Sequence, residues 1–176
     1  FYSDLAAEIG LCLVNRSRSD HISSFIYLYR SIETIAYAFP SIYASNTSDF
    51  SKSFGELAKL FAQKESEGEL SFFAKFVTSL NSDDQYEKLL YEMNFSHLDA
   101  DGWKNIRKAL KKIVGNNLDK KVFVQEGVGV ISIKFEYMPS FIISVRNRYF
   151  HYKRTREENL NHRDLPEPQY FFASVV

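Results

Sequence analysis

The chain has 176 residues, enough for one domain of ordinary size or one domain with a small appendage, and 45% of them are hydrophobic. A sizeable core can therefore be buried, which excludes a largely disordered chain. The 22 basic and 22 acidic residues cancel, so any nucleic-acid role has to rest on a local basic patch and not on the overall charge.

Bulky apolar residues are frequent and backbone breakers are rare: the chain has 16 Phe and 11 Tyr against 7 Gly and 4 Pro. This balance favours long helices packed through aromatic side chains. No apolar run approaches the ~20 residues that span a bilayer, so we expect a soluble, cytoplasmic protein with no membrane partner. The single cysteine, Cys12, has no partner for an internal disulfide, which fits a reducing compartment or is uninformative.

Apolar residues recur at three- and four-residue intervals through much of the chain, which is the spacing of amphipathic helices. The first predicted helix is apolar enough to be largely buried. Asp20 is suited to cap the second helix, which should end before Pro40, and Asp101 is suited to cap a later one. Helices are predicted over 3–15, 20–39, 52–63, 70–80, 82–93 and 101–114.

The composition changes over residues 121–135, which are rich in β-branched and aromatic side chains around a short Gly-containing turn. This pattern predicts a small hairpin inserted between helices. Pro139 suits the first turn of a final helix whose apolar face reaches Tyr152. We therefore predict an all-α fold, mainly a helical bundle, with one small β-hairpin insertion. The helical domain is expected over 1–160, followed over 161–176 by a loop and an apolar tail that packs or continues into a further region.

The predicted final helix carries the residues best suited to chemistry. At about 100° per residue, Asn147 and His151 are one turn apart and share a face, and the long side chain of Arg146 can reach the same face. The three residues combine a cation, an amide and an imidazole. The plainer interpretation is an amphipathic helix whose polar side happens to include them. An Arg followed by a His a few residues later is common by chance, so this pattern alone is weak evidence for a site. A polar residue directly after the Arg makes a chance match rarer.

The segment from Arg146 to His151, Arg-Asn-Arg-Tyr-Phe-His, resembles the signature of the HEPN superfamily: an Arg, a polar residue, a short spacer and a His on a late helix of a helical bundle. More loosely, the segment from Tyr29 to Glu33 is similar to the long second helix of such domains, which often carries a polar residue facing the site. Glu33 and Arg30 are therefore predicted to support the site. The hairpin is not part of a minimal HEPN bundle, so the subfamily stays open.

The resemblance implies metal-independent cleavage of RNA by an endoribonuclease, with no cofactor, often of a toxin or antiviral-defence type. In such chemistry the ribose 2′-hydroxyl attacks the neighbouring phosphorus. His151 would act as general base or acid, because imidazoles titrate near neutrality. Arg146 would offset charge on the phosphate oxygens, and Asn147 would orient the imidazole or bind a phosphate oxygen. The resemblance also implies a homodimer in which two signature helices face each other.

Basic and aromatic residues surround the signature. Arg148, Lys153 and Arg154 are candidate RNA-binding residues, and Tyr149 is a candidate for stacking on a base. A second basic run lies on the helix predicted at 101–114 and comprises Lys104, Arg107, Lys108, Lys111 and Lys112. For each of these residues taken alone, a solvated helix face or a core contact is the plainer interpretation.

Several alternatives stay open at this point. Glu33 is either exposed or paired with Arg146 or Arg30, because a buried carboxylate needs such a partner. His97, Asp99 and neighbouring Asp101 lack the spacing of a metal site and favour a helix cap. The whole chain could also be a HEPN-like module without catalysis that binds RNA, nucleotide or a regulatory protein.

Overall fold

The computed structural model describes residues 1–46, 49–61, 73, 77, 89–114, 122–125, 129–151, 159–161, 164–165 and 167–176. Within this part of the chain there are six α-helices and three strands. In chain order they are α1 (Tyr2–Ser17), α2 (His21–Asn46), α3 (Phe50–Phe61), β1 (Leu90–Asn94), α4 (Ala100–Val114), β2 (Val122–Gln125), β3 (Val130–Lys134), α5 (Met138–Tyr149) and α6 (Pro168–Val175). The predicted mainly helical fold with a small β element is confirmed.

Three aspartates begin helices by capping their free backbone amides. Asp20 Oδ1 accepts a hydrogen bond from Ser23 N at the start of α2. At the start of α3, Asp49 Oδ1 accepts one from Lys52 N. Asp99 Oδ1 accepts from Gly102 N at 2.8 Å. The cap of α4 is therefore Asp99, and the prediction that Asp101 caps this helix is wrong by two residues, because Asp101 already lies in its first turn.

The sheet is antiparallel, in the order β1-β3-β2. Strands β2 and β3 form the predicted hairpin, with Val124 opposite Ile131. The other neighbour of β3 is β1, and here the prediction of a helix through Met93 is wrong. Met93 is fully buried opposite Ile131 and Tyr91 is half-buried, whereas Glu92 between them is exposed. Alternate burial of this kind is the period of a strand and not of a helix.

The turn before β3 needs glycine at position 129. Gly129 has a φ of +67°, which L side chains rarely adopt. A Cβ at this position would lie 2.8 Å from Ser96 Cα, because the end of β1 passes directly over the turn. A hydrogen bond of 2.7 Å from Phe95 N to Gly129 O holds the segment after β1 against Gly129. This glycine thus joins the hairpin to the loop that enters α4.

One core unites the sheet with four helices. Its buried side chains come from α2, α4, α5, α6 and the strands β1 and β3, with the segment between α5 and α6 adding two leucines. The fully buried large residues are Phe25, Phe95, Phe171, Phe172, Met93, Leu110, Ile113, Ile131, Ile133, Leu165, Val145 and Val175. Three of them belong to α6, so the apolar end of the predicted tail is a helix inside the main core.

The structure corrects two further helix predictions. In α1 only Cys12 is buried, so the expectation of a largely buried first helix is wrong. The helix α2 does not end before Pro40 but continues to Asn46; proline costs a helix one backbone hydrogen bond without always ending it. Of the helix predicted over 70–80, the structure describes only Phe73 and Val77, both in helical conformation, and most of the helix predicted over 82–93 lies outside the described residues. None of the described helices combines the length and hydropathy needed to cross a bilayer.

Replacing Gly129 by Ala should lower the free energy of unfolding by about 2 kcal/mol or more, because the added Cβ meets both a positive φ and the backbone at Ser96. Urea unfolding measures the loss. Gly55→Ala is the matched control: nothing lies within 4 Å of its added Cβ inside α3, so a gain of about 0.5–1 kcal/mol is expected. Equal effects at the two positions would contradict the strain assigned to Gly129.

Candidate functional site

The signature arginine lies where α5 crosses α2. The Cζ atom of Arg146 is 4.8 Å from the centre of the Tyr29 ring, within the range of a cation–π contact. Tyr29 itself is only 5% exposed. Its hydroxyl is hydrogen-bonded to Glu33, one turn further along α2. The phenol thus stands between a guanidinium on its face and a carboxylate at its edge.

The surroundings of Tyr29 hold it in the neutral form. Burial and the hydrogen bond to Glu33 raise its pKa to about 12, while the positive charge of Arg146 acts in the opposite direction. A neutral phenol can keep donating to Glu33 throughout the physiological range. The ring therefore supports Arg146 without adding a charge of its own.

Asn147 is the second fixed contact of the arginine. Arg146 Nη1 donates a hydrogen bond of 3.1 Å to Asn147 Oδ1. Both residues are partly buried in the last turn of α5. Because the guanidinium is held on its face by Tyr29 and at one nitrogen by Asn147, it loses less freedom when it binds an anion than an unrestrained arginine would. Arg146 and Asn147, two of the three residues predicted for the catalytic site, are thus in direct contact.

His151 lies beyond the helix. The helix α5 ends at Tyr149, and Phe150 N still bonds to Arg146 O, but the carbonyl of Arg148 accepts from Leu160 N at 2.9 Å. In a continuing helix, this carbonyl would accept from the backbone N–H four residues later. Because Leu160 N donates to it instead, the helix stops here. The prediction that Asn147 and His151 share one helical face is therefore wrong. His151 is exposed, two residues past the end of α5.

The structure separates the predicted roles of Arg30 and Glu33. Arg30 Nη2 lies 2.7 Å from Glu8 Oε1 on α1, and its guanidinium also lies 5.7 Å from the centre of the Tyr27 ring. Arg30 thus ties α2 to α1. Glu33, in contrast, reaches the site through its hydrogen bond with Tyr29. It is the supporting residue that the structure brings toward Arg146.

The other signature residues have mixed surroundings. The ring of Tyr149 packs against Phe150 and Phe172, with centroids 4.9 and 5.0 Å away, and burial raises its pKa. A base that stacked on Tyr149 would have to displace these contacts. Arg148 is partly buried, and its carbonyl holds Leu160. Lys153 and Arg154, predicted to bind RNA, lie outside the described residues.

The second basic run divides into two kinds of residue. Lys112 Nζ lies 2.7 Å from Asp164 Oδ1 and 3.5 Å from Asn159 O, with the lysine 26% and the aspartate 6% exposed. Lys112 therefore fastens α4 to the segment before α6. The remaining members, Lys104, Arg107, Lys108 and Lys111, are exposed on α4.

Asp164→Asn should lower the free energy of unfolding by about 2 kcal/mol, because it leaves the partly buried ammonium of Lys112 without its counter-charge. Chemical denaturation followed by circular dichroism measures the change. Lys111→Ala on the exposed side of the same helix is the control and should change stability by less than about 0.5 kcal/mol. A loss at Lys111 as large as that at Asp164 would refute the structural role given to the pair.

Tyr29 is the residue at this site that the sequence did not reveal. It falls within the apolar stripe of α2, and an aromatic residue in such a stripe is interpreted as core. The one available signal was the spacing of Tyr29 and Glu33, four residues apart, which places a hydroxyl donor beside a carboxylate on a helix. Among the described residues no group of three or more His, Cys, Asp or Glu side chains could hold a metal ion.

The chain was also compared with known proteins. No protein-family model, curated protein or solved structure matches it. The resemblance to HEPN domains consequently rests on the residues of the signature alone.

Tyr29→Phe should flatten the loss of stability at alkaline pH. Since the pKa of Tyr29 is raised from 10.0 to about 12 by folding, stabilisation by the neutral phenol is complete below pH 10 and is lost as pH rises toward 12. Urea unfolding at several pH values across this window gives the slope for each variant. Tyr2→Phe, at a ring that is 74% exposed, should leave the slope unchanged. A Tyr29→Phe slope identical to that of the parent would rule out the buried, carboxylate-bonded phenol.

Proposed function

We propose that the chain is a HEPN-type endoribonuclease that cleaves RNA without a metal ion. The observation that carries the proposal is the fixed guanidinium of Arg146, held on Tyr29 and bonded to Asn147 in the last turn of α5, with an exposed imidazole two residues beyond the helix. A positioned cation and an accessible proton carrier are the minimum that phosphodiester transesterification requires.

The reaction follows from these groups. The ribose 2′-hydroxyl of the substrate attacks the adjacent phosphorus, and the bond from phosphorus to the 5′-oxygen of the next nucleotide breaks. A 2′,3′-cyclic phosphate and a 5′-hydroxyl result. His151 takes the proton from the attacking hydroxyl or supplies one to the departing oxygen. If two copies pair through α5, as HEPN domains do, their two imidazoles take one role each.

Arg146 acts on the phosphate. Its planar donors suit two phosphate oxygens, whose negative charge increases as the phosphorane forms. Partial burial strengthens this attraction, because less water competes for the guanidinium. The contacts to Tyr29 and Asn147 aim the group before the substrate arrives, so less ordering is needed during the reaction. Asn147 is thus proposed as a positioning residue, with Arg146 as the electrostatic catalyst.

Among HEPN nucleases, this chain is proposed to be of the toxin or defence type, restrained by a regulatory protein or domain.

A chain of zero net charge has no long-range attraction for RNA. Substrate capture would then depend on the local cations around α5 and α4. Of these, Arg148 follows the site directly in sequence, and Lys104, Lys108 and Lys111 project from α4.

The second candidate function is a non-catalytic HEPN-like module that binds RNA, nucleotide or a protein. The position of His151 outside α5 favours it, because the imidazole is not held in register with Asn147 by the helix. In that case Arg146 would bind a phosphate group without turnover.

His151→Ala should reduce RNA cleavage by about 100-fold or more, since the proton carrier is removed. The assay follows a 5′-labelled RNA in a buffer containing a metal chelator and identifies cyclic phosphate ends on the products. His97→Ala is the matched control, because His97 is another exposed histidine on a different part of the chain. Arg146→Lys should keep binding but lose most of the rate, because an ammonium lacks the planar donors.

A substrate with one 2′-deoxyribose at the cleaved position tests the nucleophile and should resist cleavage there. Cleavage that survives His151→Ala, or that proceeds through the 2′-deoxy position, would overturn the proposed mechanism. Binding of RNA by the parent chain with no turnover in any buffer, weakened by Arg146→Ala, would instead establish the non-catalytic module.

A further inference from the structure

A cavity of about 500 Å³ lies where the first turns of α4 and the start of α6 meet the loop after β1. Its volume is within the range of small-molecule sites, roughly 300–1,000 Å³. The apolar floor of the cavity is formed by Ile106 and Leu165, which are 5% and 1% exposed, and by the half-buried Leu98. None of the side chains that line the cavity belongs to the proposed cleavage site, so this inference is independent of the proposed function.

One wall of the cavity is aromatic. The ring of Tyr170 in α6 is 48% exposed, and the ring of His97 in the loop after β1 packs against it with the centroids 5.2 Å apart. This contact holds Tyr170 in place before a ligand arrives. An accessible aromatic face attracts cations and stacks with planar groups, so the wall is suited to a ligand that is flat, charged or both.

The polar groups that line the cavity are rich in hydrogen-bond acceptors. Glu167 is exposed at the N-cap of α6, and its side chain makes no capping hydrogen bond. Asp99 caps α4 with Oδ1, and within the described residues no hydrogen bond or ion pair occupies its Oδ2. Asn105 adds an amide oxygen. No Lys or Arg of the described chain lines the cavity, so its charge favours a cation over a phosphate or carboxylate ligand.

We propose that this cavity binds a guanidinium group on an alkyl stem, the group that an arginine side chain and agmatine share. The planar cation stacks on Tyr170, and its N–H groups donate to Glu167 and Asp99. The methylene stem lies against the apolar floor. An ammonium has neither the planar donors nor the stacking face, and a neutral base or sugar gains nothing from the two carboxylate charges.

Heteronuclear NMR of the intact chain tests the proposal, because even a weak ligand shifts the amide signals nearest to it. N-acetyl-arginine amide should give saturable shifts at Gly102, Asn105 and Tyr170, with a Kd on the order of 1 mM for a ligand of this size. The citrulline analogue has the same shape without the charge and should bind about tenfold more weakly or less. The lysine analogue, which has the charge without the planar donors, should also bind about tenfold more weakly.

Agmatine distinguishes the two sources of the group. Tighter binding of agmatine than of N-acetyl-arginine amide identifies a free amine as the ligand. The reverse order identifies an arginine side chain of a protein. Either order supports the site, because both probes carry the guanidinium on its stem.

Two variants test the residues assigned to the site. Glu167→Gln removes the charge and keeps the shape, and it leaves the start of α6 intact because the side chain makes no capping bond there. Tyr170→Leu removes the stacking face. Each should weaken the binding of N-acetyl-arginine amide by about tenfold. Asp101→Asn is the matched control, since Asp101 is an exposed carboxylate in the first turn of α4 that does not line the cavity; it should bind like the parent.

Three outcomes would overturn the proposal. The first is the absence of saturable shifts around the cavity at millimolar ligand. The second is equal affinity for the arginine and citrulline analogues, or an unchanged affinity in Glu167→Gln. The third is adenosine binding at the same amides more tightly than N-acetyl-arginine amide, which would make the cavity a nucleoside site. Far-UV circular dichroism checks that each variant keeps its helical content.

Discussion

Two contacts, one helical turn apart, hold α5 against α2, and the candidate site depends on both. Phe25 stacks on Phe150 with the rings 5.9 Å apart, and Arg146 lies over Tyr29 at 4.8 Å. The two contacts are separated by four residues in each segment, from Phe25 to Tyr29 in α2 and from Arg146 in α5 to Phe150 at its C-cap, so they follow one another between two antiparallel segments. The ring of Phe172 in α6 also packs against the Phe25 ring, with the ring centroids 4.9 Å apart. Without this aromatic packing the guanidinium would have no fixed surface beneath it.

The contact between Arg146 and Tyr29 costs free energy by itself and is stabilised by neighbouring side chains. A partly buried guanidinium loses hydration, and an aromatic face returns only part of that free energy. Glu33 adds a carboxylate that interacts with the hydroxyl of the same phenol. The contact between Phe25 and Phe150 is apolar throughout, whereas the contact between Arg146 and Tyr29 places a cation in the same interface between the two segments. The proposed function requires such a positioned cation.

The sequence was informative where local rules decide the structure. The spacing of apolar residues predicted most of the helices. Asp20 and Pro139 predicted where α2 and α5 begin, and the β-branched residues predicted the hairpin. It failed where a distant segment decides. The end of α5 depends on Leu160 N, and the strand β1 depends on pairing with β3; both partners are remote in the chain. For the site, Arg146 and Asn147 were predicted, but Tyr29 was hidden within a stripe that looks like core.

The wrong prediction for α1 has a different origin. Its apolar pattern is real, and the error lay in assuming that the same chain covers it. Helix α1 is fixed to α2 by polar contacts: the buried Ser24 Oγ donates to Cys12 O at 2.8 Å, and the exposed Arg30 forms an ion pair with Glu8. Polar groups thus anchor the inner side while apolar groups face outward, which reverses the usual arrangement for a surface helix.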